Sequence, residues 1–291
     1  MKCSVIIPTH NRAASLRNCV NSVAAQVFRD FEIIVVDDAS TDDTAVMLAA
    51  EFPAVRVLRQ ETNRGPAAAR NRGIDAASGE FIAFTDDDCL VPAGWLPTLL
   101  TAFDRHPGAA GAGGYQAPAE ELVRTNPVAR VEYDQHFRRW GAAALQEICG
   151  GYEVPTFGTN NAIYRRAVLL ELGGFDERFP AAAGEDADLN YRVAQAGWQL
   201  VYLPFGVQHG RDYTLAAQWR ASLRRGQGAF LFEAKHVRPP SAARLALRLV
   251  KRTLLLFPDL LHMPPRVAAL HLLTRLGDWA GQVQAWRRVR L

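Results

Sequence analysis

Short β-branched runs alternate with amphipathic stretches from the start of the chain: Ser4–Pro8, Arg12–Gln26, Phe31–Val36, Thr41–Glu51 and Val55–Leu58. The Ala- and Arg-rich run Gly65–Ala77 leads to Phe81–Phe84, and Pro92–His106 closes the series. A hydrophobic period that switches between strand and helix values in this way belongs to strands joined by crossover helices. It restricts the first half to a parallel α/β sheet with about four strands in βαβ order. Ligands of such sheets gather beyond the carboxyl ends of the strands, where Pro8, Asp37–Asp38 and Asp86–Asp88 all fall.

The run Phe84-Thr85-Asp86-Asp87-Asp88-Cys89 follows a buried-strand pattern. Three adjacent carboxylates repel one another unless a cation sits among them. Strand alternation points Asp86 and Asp88 the same way, and hard oxygen ligands so spaced suit Mg²⁺ or Mn²⁺ carrying a phosphate-bearing substrate. An acidic turn closing the strand accounts for the same residues, because Asp favours turns and helix N-caps and Pro92 soon follows. Gly108–Gly114 lacks the GxGxxG spacing of a dinucleotide fingerprint and is expected to be a flexible turn or a close backbone approach. No Walker lysine motif occurs.

The second half is less regular. Thr159–Tyr164 reads as a strand, Arg165–Leu172 as a short helix stopped by Gly173-Gly174, Asp186–Gln195 as a helix stopped by Gly197, and Trp198–Leu203 as a strand. With 291 residues, 49% of them hydrophobic, the chain supports one catalytic domain and an appendage. Its four scattered cysteines, Cys3, Cys19, Cys89 and Cys149, suggest reduced thiols and no zinc site. The opening has no signal-peptide pattern, so a cytoplasmic protein is expected.

Charge is unevenly spread: residues 1–234 hold 22 basic and 28 acidic groups, and residues 235–291 hold 11 and 2. We therefore expect a domain over 1–234 and a basic amphipathic helical extension over 235–291. Ser241–Phe257 and Arg266–Leu291 read as its two helices, separated by Pro258 and Pro264-Pro265. In the second, Leu276, Trp279, Val283 and Trp286 recur at helical spacing, leaving Arg275, Arg287 and Arg288 opposite. Neither helix has the roughly 18 apolar residues of a membrane span. The pair either packs on the domain or makes peripheral contact with an anionic membrane, on the cytoplasmic face of the inner membrane. Nucleic acid is not expected as a partner, because interleaved aromatics and a binding motif are missing.

Four elements carry candidate chemistry. Val5-Ile6-Ile7-Pro8-Thr9-His10-Asn11-Arg12 is a strand ending in a polar turn. Ile33–Asp42 places Asp37 and Asp38 where they accept from a nucleobase or ribose, or else cap a helix. Arg64–Gly73 precedes the acidic triplet. Gly173–Phe179 is followed by Gly184-Glu185-Asp186-Ala187-Asp188-Leu189-Asn190-Tyr191-Arg192.

In this order and spacing, from Val5 to about His209, the motifs resemble an inverting family 2 glycosyltransferase of the GT-A fold. The resemblance implies a Rossmann-like, mostly parallel α/β sheet flanked by helices, with a C-terminal helical appendage. It implies transfer of a sugar from a nucleotide-diphosphate sugar to a hydroxyl acceptor, a glycan or lipid-linked glycan, with a divalent metal (Mg²⁺ or Mn²⁺). Thr9 and Asp38 would bind the base, with Pro8, His10, Arg12 and Asp37 nearby, and Arg70 would approach the nucleotide. Asp86, Asp87 and Asp88 fill the DxD motif, with Asp88 as direct metal ligand, Asp86 facing ribose or metal-bound water, and His209 joining the metal or diphosphate. Asp186 would be the catalytic base, and Glu185 would position the acceptor or Asp186. The macrodipole of the helix they open favours negative charge there, which also accounts for them as an acidic first turn. The Gly141–Thr156 loop would cover the site, and Gly158-Thr159-Asn160-Asn161 would line the acceptor side. Trp219-Arg220 and Arg224-Arg225-Gly226-Gln227-Gly228 read as a flexible phosphate-contacting segment or as a helix end with a glycine stop. The chain has Gln218-Trp219-Arg220 in place of the QxxRW of processive synthases, so transfer of one sugar or few is expected. Two rivals stay open: a nucleotidyltransferase, and a sugar-nucleotide or glycan-binding module that keeps the fold without turnover.

Overall fold

The structure, a computed structural model, describes residues 2–179, 183–254 and 265–290. Strand β1 (Cys3–Thr9) is buried along its whole length, as a central strand covered on both faces must be. Its side chains divide by parity. Cys3, Val5 and Ile7 enter one core with Leu16, Cys19, Val20 and Val23 of helix α1 (Ala13–Ala24) and Trp95, Leu96 and Leu99 of α4 (Trp95–Arg105). Ile6 enters the other core with Ala67, Ala69 and Ile74 of α3 (Pro66–Ala76), Val168 and Leu169 of α7 (Arg166–Glu171), and Leu189 and Val193 of α8 (Glu185–Gln195). The buried positions of α1 recur at i, i+3, i+4 and i+7, one stripe of a 3.6-residue period.

Beside β1 lie β2 (Phe31–Asp37) and β4 (Phe81–Phe84), and β3 (Arg56–Arg59) flanks β2, all in parallel. Between β2 and β3 runs α2 (Thr44–Glu51). Beyond β4 the sheet becomes mixed. The remaining strands are β5 (Cys89–Leu90), β6 (Ala109–Ala117), β7 (Ile148–Gly150), β8 (Ala162–Arg165) and β9 (Gln199–His209), in the order β3-β2-β1-β4-β8-β6-β9-β5 with β7 also on β9. The β1–β2 register sets Thr9 beside Asp37. Pairing of β5 with β9 sets Cys89 opposite His209.

The glycine-rich Gly108–Gly114 run is no turn; most of it forms β6 inside the sheet, and the expected close approach is its cause. A Cβ at Gly111 would lie 2.7 Å from the Tyr164 ring, one at Gly113 would strike Phe157, and one at Gly114 would overlap the Phe205 carbonyl oxygen. The large neighbours fill the layer, so from Ala109 to Gly114 the strand carries almost no side chain and shows no β-branched pattern.

The chain divides into two compact units. One comprises Met1–Ala117, His136–Glu177 and Asp186–Gly210 and holds the sheet; the other comprises Pro118–Gln135, Arg178–Glu185 and Arg211–Leu291. Within the second unit α9 (Leu215–His236) crosses the expected 234/235 boundary, capped at its start by the Thr214 hydroxyl accepting from Ala217 N–H at 3.2 Å. The Arg224–Gly228 run lies inside this helix, so it is neither a flexible segment nor a helix end. Two helices not anticipated from sequence, α5 (Glu120–Thr125) and α6 (Pro127–Trp140), precede a short 3₁₀ turn at Gly141–Leu145. The tail forms α10 (Ala242–Leu254) and α11 (Pro265–Arg290).

The expected apolar stripe of α11 is not the buried one. Leu276 is 45% exposed, whereas Leu270, Thr274, Gln282 and Ala285 are buried. Here α9 and α11 meet backbone to backbone: a Cβ at Gly226 would overlap the Asp278 carbonyl, one at Gly281 the Leu223 carbonyl, and one at Gly277 would sit 2.6 Å from Ser222 Cβ. Small residues set this contact, so a search for large apolar residues misses it.

Gly114→Ala is expected to cost on the order of 2–4 kcal/mol, because the added methyl meets backbone that cannot rotate away. Urea unfolding of the two proteins measures it; a loss below about 0.5 kcal/mol rejects the close-packed account of β6.

Candidate active site

Strand β4 ends at Phe84, and Asp86–Asp88 form a tight turn closed by Cys89 N–H donating to the Asp86 carbonyl at 3.0 Å. The turn, and not strand alternation, therefore aims the three carboxylates. Asp86 Oδ1 accepts from Arg70 at 2.8 Å, and Arg70, on α3, is 2% exposed with its guanidinium 5.6 Å from the Phe175 ring centre. Asp87 accepts from the Thr9 hydroxyl at 2.7 Å and from Arg12 at 3.2 Å. Asp88 accepts from Arg12 at 2.5 Å on Oδ2, and its Oδ1 lies 3.3 Å from His209 Nε2. Seven residues read from the sequence as site candidates thus converge on the turn or form it: Thr9 of β1, Arg12 at the start of α1, Arg70 of α3, His209 of β9 and the triplet itself.

Their electrostatics differ. Burial pushes the Asp87 carboxyl up to about 6, against the pull of Arg12 and Thr9 and helped by Asp88 and Asp86. Burial also works against charge on Asp88, but His209 and Arg12 outweigh it and hold that carboxyl down at about 2. Burial, then the neighbouring carboxylates, push the thiols of Cys19 and Cys89 well above their ordinary value.

Asp88, Cys89 and His209 each offer a ligand atom within 4.8 Å of the others, and Cys89 was not foreseen as a member of this group. An ionised oxygen suits Mn²⁺ or Mg²⁺ and an imidazole nitrogen suits Mn²⁺ better than Mg²⁺, while a buried protonated thiol suits neither, so the donor set fits Mn²⁺ best, through Asp88 and His209. Asp86 lies outside this cluster, turned to Arg70.

At the neighbouring strand end, Asp37 accepts from Ser40 N–H at 2.8 Å and from Arg59 at 2.9 Å. Asp38 accepts from the Gln60 side chain at 2.7 Å and from the N–H groups of Arg64 and Gly65, both at 2.8 Å. The loop entering α3 therefore hangs on Asp38. His10 Nδ1 lies 2.7 Å from the Asp38 carbonyl oxygen, and Pro8 is held in β1 opposite Val36. Arg59 and Gln60, which fix these carboxylates, gave no motif signal.

Asp186 stands in the first turn of α8, its Oδ1 accepting the Ala187 N–H at 2.7 Å. A Cβ at Gly158 would sit 3.1 Å from Asp186 Oδ2, so that glycine leaves room before the carboxylate. Asp186 and Arg70 both act on the buried Tyr164 hydroxyl, whose pKa burial raises first, with Asp186 adding to the rise and Arg70 opposing it. Helix α8, which carries Asp186, and α3, which carries Arg70, pack into the same core on one face of the sheet. Tyr152, in the stretch expected to cover the site, also feels Asp186 and packs edge-on to Tyr191 at 5.2 Å. Asn161 is a strut: it accepts from the Trp95 indole at 2.9 Å and donates to the Tyr115 and Phe205 carbonyls at 3.0 and 2.9 Å. Glu185 is 3% exposed.

A βαβ half-sheet with an acidic turn at its carboxyl edge, extended by a mixed half, defines the GT-A glycosyltransferase fold. The profile of glycosyl transferase family 2 matches residues 4–173, and the chain belongs to that family. It is 31% identical over 231 residues to the pre-mycofactocin glycosyltransferase of Mycobacterium tuberculosis, an alignment covering 75% of this chain and 44% of that protein. Over 103 residues it is 44% identical to the GalNAc(5)-diNAcBac-PP-undecaprenol beta-1,3-glucosyltransferase of Campylobacter jejuni, covering 34% of this chain and 33% of that one. The chain thus spans less than half the length of either relative. The mannosyltransferase PcManGT of Pyrobaculum calidifontis, solved in complex with GDP-Man and Mn²⁺, superposes with a TM-score of 0.68 at 20% identity over 98% of this chain and 86% of that one.

In an unfolded chain aspartate titrates near ~3.9. A folded value of about 6 means the Asp87 carboxyl favours folding when protonated, an advantage complete below the unfolded value and lost as pH rises through about 6. Asp87→Asn is expected to gain melting temperature over the native protein between about pH 6 and 8 and none near pH 4. A difference that does not change with pH rejects the assignment.

Proposed function

We propose that this chain transfers a sugar from a nucleoside-diphosphate sugar to a hydroxyl acceptor with inversion at the anomeric carbon. The observation that carries this reading is the convergence of Thr9, Arg12, Arg70 and His209 on the acidic turn, with the helices of Asp186 and Arg70 packed into one core on the same face of the sheet. Thr9 and Asp38 bind the base end, with Pro8, His10 and Asp37 shaping it. Asp88 and His209 would hold a divalent ion, which would supply positive charge for the departing diphosphate. Asp86, held on one oxygen by Arg70, would present its second oxygen to the ribose or to water beside the ion. Asp186, positioned by Glu185, takes the acceptor hydroxyl proton while that oxygen bonds to the anomeric carbon. The carbon–oxygen bond to the diphosphate breaks with its electron pair on the leaving group, so one displacement inverts the centre. The acceptor we favour is a lipid-linked glycan, in line with the undecaprenol-linked substrate named for the Campylobacter relative.

Asp186→Asn is expected to lower nucleoside diphosphate release by at least about 10²-fold while donor binding persists. Asp88→Ala should instead remove the effect of Mn²⁺ on donor affinity. Pyrophosphate as the product would favour a nucleotidyltransferase, and donor binding without turnover a binding module.

For location, we infer contact with the cytoplasmic face of an anionic membrane through the tail. No helix among the described residues is long and apolar enough to cross one. The solvent side of α10 instead carries Ala243, Ala246, Leu247 and Val250, with Leu247 and Val250 each 53% exposed and Lys251 beside them. Arg248 turns inward to Glu233 at 2.7 Å. An apolar solvent face with flanking cations suits an interfacial helix. Leu247→Glu with Val250→Glu is expected to weaken sedimentation with phosphatidylglycerol vesicles by at least about tenfold. Equal binding by native protein to neutral vesicles rejects the inference.

A further inference from the structure

The two arginines of the acidic turn are placed in opposite ways. Arg70 is enclosed, its side chain 2% exposed, and pinned to Asp86 beneath the Phe175 ring. Arg12 stands at the N-cap of α1 with its side chain 51% exposed, while the carboxylates it grips are 9% and 10% exposed. It reaches both Asp87 and Asp88 through one nitrogen, on the Asp88 oxygen opposite the one near His209. A long side chain rooted at the surface leaves such a place without opening a cavity; Arg70 does not.

We propose that Arg12 is the resident counter-cation of the turn. It neutralises Asp87 and Asp88 in the ligand-free protein, competes with the divalent ion for that negative charge, and is released to pair with the donor's diphosphate when ion and donor enter together. Two cations crowded on the same carboxylate repel, whereas a guanidinium and a diphosphate attract. Arg12 thus has effects of opposite sign on the two ligands. The inference rests on the metal reading of Asp88 and His209 given above.

The test is Mn²⁺ binding without donor, read from the aqueous Mn²⁺ paramagnetic resonance signal, followed by calorimetric titration of UDP and of GDP at saturating Mn²⁺. Arg12→Ala is expected to bind Mn²⁺ about fivefold more tightly than native protein and to bind the preferred diphosphate about tenfold more weakly, the scale of one charge-assisted hydrogen bond. Arg12→Lys, which keeps the charge and guards against misfolding of the alanine variant, should fall between on both. Weaker or unchanged Mn²⁺ binding in both variants, with Mn²⁺ binding still lost in Asp88→Ala, overturns the proposal and leaves the metal site standing. Mn²⁺ binding that ignores Asp88→Ala, or none in native protein, overturns both.

Discussion

Three consecutive carboxylates at one strand end are unstable as a group, and the surrounding site is organised around neutralising them. Arg70 answers Asp86 from a helix, Arg12 answers Asp87 and Asp88 from the turn after β1, and His209 approaches Asp88 from the far end of β9. Each partner comes from a different part of the chain, so the triplet is assembled only when the parallel and mixed halves of the sheet are joined. Unequal enclosure then separates the chemistry: the middle carboxyl is pushed toward protonation while Asp88 stays ionised.

That assembly depends on how β1 is used. Its alternate residues feed two cores on opposite faces of the sheet, one built with α1 and α4 and the other with α3, α7 and α8. Burial on both sides fixes the strand's register, because a one-residue slip would exchange the faces. The position of Thr9 against Asp87 is inherited from that constraint.

The alternating half of the chain was legible because its signals are local. The run Phe81–Phe84 falls on its strand residue for residue, and Asp86–Asp88 lie at the carboxyl edge of the sheet as the βαβ rhythm requires. What escaped were features defined by neighbours distant in sequence. Gly111, Gly113 and Gly114 are strand residues because Tyr164, Phe157 and Phe205 occupy the space beside them. Arg59 and Gln60 matter only through the strand-end acids they hold, and Cys89 joins His209 through antiparallel pairing. In the tail, helical spacing of large residues pointed to Leu276, whereas contact between helices is made at glycine.

Asp38 ties the Gln60–Gly65 loop to β2, Gly65 turns the chain at a φ of +87° into the proline-started α3, and α3 delivers Arg70 to Asp86. One continuous mechanical strut therefore links the strand end at Asp38 with the acidic turn at Asp86. A substitution at Asp38 is therefore coupled to rebuilding the start of that helix, so the two strand ends are inherited as one piece.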